Sequence, residues 1–469
     1  MNKKRLQHQE IECCGFFYVC FLLLFLLTFF MPVFWGKWLW MTHSGYKINT
    51  YFTIFKGGGK EKMTNRKCRT HRKRGRVIMF VLLILAVSGL LPAGTTVAAN
   101  NKNVSFEKAM TETSLRMLQE CIRKSGRRNV LISPDSILTA LSMAENGASG
   151  KTLKEMEKAL GGISVKKYTQ ALSKLNRRVS GSDRAVFRNA NSLWYRKGLI
   201  TLKDAFLAKM TGTYGAEMYP SDFDQAGINQ MNQWVSQKTE GKIPNIINSL
   251  DPSSRLVLIN AVYFKGDWVD KYNNTVNRTF TKAGGSKQKV PMLEGTEHVY
   301  VRIAGADGFV KNYAGGKLAF MGLLPPKGMS TAKFVKKLTG EEWIRGYRNR
   351  QKSGVTVQTR MPEFKYEYSS SLKSVMKRIG IKRAFTRNAA FRSMTDDSVC
   401  IDEILHKTYI DVNKNGTEAA AATALIMKES SFLIGQEVKR VYLDRPFVYA
   451  IIDVKTGVPL FIGTVNSVL

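Results

Sequence analysis

The chain is 469 residues long, 44% hydrophobic and 23% charged, an ordinary globular composition that allows one large domain or two to three smaller ones. It carries 72 Lys and Arg against 36 Asp and Glu, a formal charge of +36, which suits a polyanion partner (acidic polysaccharide, cell-wall polymer or nucleic acid) or serves solubility alone. With five His and no C-x-x-C pattern, a zinc centre or a His-based catalytic triad has little to draw on, and neither metal nor cofactor is expected.

Two apolar runs lie in the first hundred residues. Residues 13–35 are long enough to span a bilayer. The second run has the parts of a secretory signal: a basic n-region at 65–76, an apolar h-region at 77–91, and the small residues Val97, Ala98 and Ala99 at a cleavage site. Met63 stands just upstream. The reading is therefore translation from Met63, a doubtful extension over 1–62, a signal peptide over 63–99, and an exported single domain over 100–469. If residues 1–62 are retained, the protein is membrane-tethered instead. Four of six cysteines (Cys13, Cys14, Cys20, Cys68) precede residue 100. Cys121 and Cys400 remain in apolar-patterned contexts that suit a disulfide or two buried thiols. His298 and His406 are the histidines left in the body.

Helical patterning dominates the early body. Apolar spacing predicts helices over 106–123, 134–146 and 151–160, with Gly147 and Gly150 as interruptions. A further amphipathic, basic helix over 166–179 sets Lys167, Lys174 and Arg178 on one face, either as a solvated face or as a polyanion site. Residues 186–195 read as a strand and 228–240 as a helix. The near-continuous apolar run R-L-V-L-I-N-A-V-Y-F at 255–264 reads as a strand buried on both faces, in which Asn260 must find hydrogen-bond partners. Strands alternate with Gly turns over 289–325, a strand pair flanks Pro362 over 355–366, and a helix follows at 371–379. Residues 447–453 and 459–465 form a hairpin through Thr456-Gly457. Helices early and strands late argue for an α+β fold with large antiparallel sheets.

The stretch D-V-N-K-N-G-T-E-A-A-A-A-T-A-L-I-M-K-E-S-S-F-L-I-G-Q over 411–436 admits two readings. Local propensity makes 419–428 a helix. Alternatively the segment is a loop in one state and a strand within a sheet in another, its small residues Thr417, Ala419, Ala421 and Thr423 facing one side and sliding beneath a covering helix.

Further motifs run in order: N-V-L-I-S-P-D-S-I-L-T-A-L-S-M (129–143), N-S-L-W-Y (191–195), T-E-G-K-I-P-N-I-I (239–247), L-I-N-A-V-Y-F-K-G-D-W (258–268), V-P-M-L (290–293), H-K-T-Y-I-D-V-N-K-N-G-T-E-A-A-A-A-T (406–423) and R-P-F-V-Y-A-I-I-D (445–453). Together they resemble the serpin family over essentially all of residues 100–469. The resemblance implies a serpin fold with three β-sheets, about nine helices and an exposed reactive-centre loop, here about 417–433. It also implies a suicide substrate of serine, or cysteine, proteases. In such proteins the cut loop inserts into the central sheet, an established case of strand addition and released strain, and the protease is trapped as a covalent complex.

Position by position, the resemblance implies further roles. Gly416, Thr417, Glu418, Ala419, Ala420, Ala421 and Ala422 are similar to the hinge of inhibitory members. Ser133, Ser136, Asn260 and His406 are similar to the polar cluster where the central strands part, and would answer the question Asn260 raises by satisfying one another. Trp194 is similar to the aromatic residue at the top of the sheet, where insertion starts. Lys414 and Glu363 exchange the acidic and basic residues that the family usually shows, so an ion pair between them is expected. The usual distance from the hinge puts the reactive bond at Ser430–Ser431. The loop from 416 to 446 is longer than usual, which leaves Lys428 and Phe432 as alternatives. Ser suits an elastase- or subtilisin-like pocket, Phe432 a chymotrypsin-like one, and Lys428 a trypsin-like one. No G-x-S-x-G elbow is present, and the chain is not expected to be an enzyme. The expected partners are a target protease and a polyanion, without sequence-specific nucleic acid, and the chain is expected to be monomeric. A non-inhibitory serpin that binds a polyanion or another ligand is the competing reading.

Overall fold

The computed structural model describes residues 105–180, 184–251, 253–273, 275–417 and 437–468, all within a compact unit spanning Val97–Leu469. The apolar run 13–35, the signal-like segment 63–99 and the loop 418–436 lie outside the described residues.

Four helices open the fold: α1 (Phe106–Ser125), α2 (Pro134–Gly147), α3 (Gly150–Ala159) and α4 (Val165–Val179). Ser105 caps α1 by accepting from the Lys108 amide, and Gly126 at φ 65° ends it, a left-handed position that favours glycine. Pro134 supplies the preset φ of the first turn of α2. β1 (Val130–Ile132) lies between the first two helices. Then follow β2 (Ala185–Arg196), α5 (Asp204–Tyr214), β3 (Glu217–Ser221) and α6 (Gln225–Lys238). Helix α6 starts before the expected residue 228 because Asp224 accepts from the Gly227 amide at 2.8 Å, a cap outside the apolar period.

Strands dominate the rest: β4 (Leu256–Asp267), β5 (Thr275–Thr281), β6 (Lys287–Glu297), β7 (Tyr300–Ile303), β8 (Ala306–Asn312) and β9 (Leu318–Leu324). After α7 (Thr331–Lys337) and α8 (Gly340–Arg348) come β10 (Val355–Pro362), β11 (Phe364–Ser371), α9 (Lys373–Ile379), β12 (Glu403–Asn413) and β13 (Gly416–Thr417). The chain ends on β14 (Glu437–Tyr442), β15 (Phe447–Asp453) and β16 (Pro459–Val465). The last two form the expected antiparallel hairpin. The strand pair expected around Pro362 is two strands of different sheets: β10 pairs with β6 and β14, and β11 with β12. Pro362 lacks the N–H that would continue a ladder, so the chain passes from one sheet to the next there.

The described residues thus hold nine α-helices and three sheets. One six-stranded sheet runs β1-β16-β15-β9-β8-β7, a four-stranded sheet runs β14-β10-β6-β5, and the central sheet runs β11-β12-β13-β4-β2-β3. The central sheet has two unlike faces. Its inner face joins the main core. Its outer face is covered by α6, where Met231, Trp234 and Val235 pack with Val257, Ile259 and Leu405. Burying each such side chain contributes roughly 1.5–3 kcal/mol, so α6 is a firm but local cover.

Candidate functional site

The central sheet is divided down its middle. β12 and β4 run parallel and pair from Glu403↔Val257 to Lys407↔Ala261, and no further. Beyond that point the two-residue strand β13 lies between them, antiparallel to both: Val412↔Thr417 and Asn413↔Gly416 on one side, Gly416↔Asp267 and Thr417↔Gly266 on the other. An antiparallel strand fits between two parallel ones without disturbing either, and each residue it adds gains main-chain partners on both sides.

β12 and β13 are joined by Lys414 and Asn415, and this turn is held by β4 and the chain that follows it. The Trp268 amide donates to Asn415 O and the Tyr272 amide to Lys414 O, both at 3.0 Å. The Trp268 indole N–H donates to Asn413 O at 3.0 Å, and its ring stacks on Tyr313 at 4.5 Å between centroids. Thr417 is 1% exposed, and its hydroxyl lies 2.6 Å from that of Tyr313. Beneath the turn, Lys311 forms a buried 2.7 Å ion pair with Glu297 and sets its ammonium 4.3 Å from the centre of the Tyr272 ring. Burial pushes the Glu297 carboxyl up and Lys311 opposes it.

Gly416 fits here because it has no side chain. A Cβ would stand 2.0 Å from Gly266 O and 2.9 Å from the Asp267 Cα, both main-chain atoms of β4. Gly416→Ala should therefore unseat β13. The expected result is hydrogen exchange at the Trp268 and Tyr272 amides faster by at least about tenfold, corresponding to loss of one or more main-chain bonds. Unchanged exchange at both amides would mean that the close approach is not required.

The four residues expected at the parting of the strands do come together, but with different atoms in contact. His406 Nδ1 lies 3.2 Å from Asn260 Oδ1, and His406 Nε2 accepts from the Ser133 main-chain N–H at 3.1 Å. Asn260 Nδ2 donates to the Ser136 carbonyl at 3.1 Å and to Asn191 Oδ1 at 2.7 Å. The two hydroxyls do not meet the imidazole or this amide: Ser133 Oγ donates to Leu460 O and Ser136 Oγ to Asn189 Oδ1, both at 2.8 Å. His406 is 1% exposed, and burial lowers its pKa to about 3. It is therefore a neutral ring with its proton on Nδ1.

Three expectations are corrected. Trp194 is not at the hinge end of the sheet. It pairs with Val257, at the opposite end of β4 from Asp267, roughly 30 Å away at the rise of an extended strand. It stacks on Tyr219 beneath α6, and Trp268 occupies the hinge instead. Lys414 and Glu363 make no ion pair within 4 Å among the described residues: the Glu363 carboxylate accepts from the Lys414 main-chain N–H at 3.1 Å, which ties down the turn whatever side chain residue 414 carries. Arg178 does not share the exposed face of α4. Its guanidinium bonds the buried Asp453 carboxylate through two nitrogens, at 2.6 and 3.2 Å. Lys167 and Lys174 are exposed, and Lys166 and Arg177 join them. In addition, Thr417 points into the core, against Tyr313, and not toward α6.

Cys121 and Cys400 are free thiols, the first fully buried. Glu418, Ala419, Ala420, Ala421, Ala422, Lys428, Ser430, Ser431 and Phe432 lie outside the described residues. The sequence reading passed over Trp268, Tyr313, Asn189 and Asn191. The repeat N-A-N at 189–191, two amides on one face of a strand, and the Trp that closes F-K-G-D-W were the signals available.

Comparison with known proteins gives one answer throughout. The family model described as Serpin (serine protease inhibitor) matches residues 108–468. Serpin B6 of Macaca fascicularis is 33% identical over 368 residues, 75% of this chain and 96% of that protein. Leukocyte elastase inhibitor A of Mus musculus is 31% identical over 379 residues, 77% of this chain and 99% of that protein. The crystal structure of a thermophilic serpin, tengpin, in the native state superposes with a TM-score of 0.72 at 34% identity, covering 77% of this chain and 94% of that one.

Proposed function

This chain belongs to the serpin family, and from that premise we propose that it inhibits a serine protease as a suicide substrate. The observation that carries the proposal is β13: two hinge residues are seated between β12 and β4, at the mouth of a cleft where those strands are unpaired. In the proposed sequence the protease serine attacks the carbonyl of the reactive bond, Ser430–Ser431 by the usual spacing. An ester forms on Ser430 and the amine of Ser431 leaves. The freed segment then continues the β13 register into the cleft.

That register has a definite reach. Each step along the entering strand is one step back along β12 and β4, so Thr423 would arrive between His406 and Asn260. Ala419, Ala421 and Thr423 would face the core, and Ala420 and Ala422 would pass beneath α6, so both sets must be small. A strand of roughly a dozen residues gains about 0.5–1.5 kcal/mol net per main-chain hydrogen bond, on the order of 10 kcal/mol before packing. The uncut chain is then held by a barrier rather than by its own depth.

The test is incubation with subtilisin-, elastase-, chymotrypsin- and trypsin-like enzymes, read by denaturing gel and by mass of the released C-terminal fragment. An SDS-stable complex with one of them supports the proposal, and the fragment mass identifies the bond. Cleavage by all four without a stable complex contradicts it and favours the non-inhibitory, ligand-binding reading. Repeating the rate measurement with a sulfated polysaccharide tests Lys166, Lys167, Lys174 and Arg177 as a polyanion site: acceleration that Lys167→Ala and Lys174→Ala abolish supports it, and no acceleration removes it. Export by way of residues 63–99 belongs to the same proposal, and an N-terminus at Asn100 in the secreted protein is its check.

A further inference from the structure

Behind His406 three amides, of which Asn260 and Asn191 are buried and Asn189 half-buried, form a chain whose hydrogen bonds all point the same way. The Ser133 N–H donates to His406 Nε2, and the ring passes its Nδ1 proton toward Asn260 Oδ1. Asn260 Nδ2 donates to Asn191 Oδ1 at 2.7 Å, Asn191 Nδ2 to Asn189 Oδ1 at 2.8 Å, and Asn189 Nδ2 to Asp135 Oδ2 at 2.9 Å. Aligned donors polarise one another, and a carboxylate at the end is the natural sink for such a row. Asp135 is fully buried in the first turn of α2.

A second amide meets the same carboxyl. Asn176, on α4, donates its side-chain nitrogen to Asp135 Oδ1 at 2.7 Å and to Oδ2 at 3.1 Å. The carboxyl therefore takes donors from two amides, Asn176 and Asn189, and no cation is paired with it among the described residues.

We propose that Asp135, held by Asn176 and Asn189, is a proton-linked control beneath the central sheet. As Asp135 gains or loses its proton, the change passes through Asn189, Asn191 and Asn260 to the His406 contact that bars the cleft. Asp135 and Asn176 are positioning residues, acting on the strands through other side chains. With Asp135 ionised the chain ends on a charge and its bonds are at their strongest. With Asp135 protonated it ends on a neutral acceptor, and the His406–Asn260 contact opens more readily.

The surroundings favour titration of Asp135 near neutrality. Burial pushes its carboxyl up to about 7, with the Asn189 amide pulling the other way. From α4, Tyr168 is the titratable group in its field, and its own pKa is raised by burial. Glu145, further along α2, is pushed up to about 8 by burial. The neighbouring cation Arg178 is committed to Asp453. β2 brings Asn189, β4 brings Asn260, β12 brings His406, and β16 carries no ionisable residue.

The experiment is NMR of the intact protein labelled at the Asp carboxyl carbon and the Asn side-chain nitrogen, titrated from about pH 5 to 8.5, a range centred above the usual Asp value. One Asp carbon should titrate within this range, one Asn side-chain amide should move with the same midpoint, and both pH dependences should be absent in Asp135→Asn. Asn176→Ala removes a donor that favours the ionised form while suiting a helix, so it should raise the Asp midpoint. Amide exchange in β12 should be about fivefold faster in Asp135→Asn than in wild type at pH 8, and similar in both at pH 5.5. No Asp carbon titrating above pH 5, an Asp midpoint that Asn176→Ala leaves in place, or equal β12 exchange at both pH values would overturn the proposal. These readouts need no protease, so they stand or fall apart from inhibition.

Discussion

Thr417→Arg is expected to turn the protein from an inhibitor into a substrate. Thr417 is seated in the sheet, 1% exposed, with its hydroxyl against Tyr313. A guanidinium there must either be buried without an acceptor, at a cost of several kcal/mol, or keep the strand out of the cleft. In the proposed mechanism the segment that follows enters after this residue, so one blocked position delays the whole insertion. The acyl-enzyme then hydrolyses before it is trapped. The fraction of encounters ending in a stable complex should fall by at least about a hundredfold, the equivalent of an added barrier near 3 kcal/mol, while the cleavage rate stays within about threefold. A variant that still forms complexes at the wild-type ratio would mean that insertion does not start at Thr417.

The second large effect belongs to His406 and depends on pH. Its folded pKa of about 3 lies below the ordinary His value, so the unfolded chain binds the proton more tightly. Its contribution is therefore fully present above about pH 6.5 and is lost as pH falls toward 3. At 1.36 kcal/mol per pKa unit the loss is on the order of 4–5 kcal/mol. Asp135 and Glu145, pushed up to about 7 and about 8, have the opposite sign, since they favour the folded state as pH falls. The clean observable is the difference between wild type and His406→Gln, in which the Glu145 contribution cancels and Asp135 enters only through its coupling to His406. The urea midpoint of wild type should exceed that of His406→Gln at pH 8, with the gap closing by about pH 4, between the two His pKa values. A gap independent of pH would mean that His406 acts through packing alone.

The sequence carried much of this. The run at 255–264 was legible as a doubly buried strand because its apolar residues are continuous, and Asn260 stood out because it interrupts them. The clustering of Asn260 and His406 followed from the family resemblance. What could not be read was which atoms meet. Ser133 and Ser136 serve through main-chain groups that every residue has, so their side chains gave the wrong partners. Trp194 and Trp268 each follow a strand pattern, and only strand register tells which lies beside the hinge. Lys414 and Glu363 suggested an ion pair by charge alone, yet a turn amide needs an acceptor wherever it lies, and Glu363 provides it. Arg178 obeyed the helical period of a basic face but sits at its margin, within reach of a buried carboxylate that the period cannot reveal.

The most direct measurement is the melting temperature before and after a single cut between residues 418 and 436. If the uncut chain is a trapped arrangement, the nicked protein gains on the order of 10 kcal/mol of new strand pairing, and should melt higher by on the order of 20 °C or more. A nicked protein that melts at the same temperature as the intact one, or below it, would show that nothing was held in reserve.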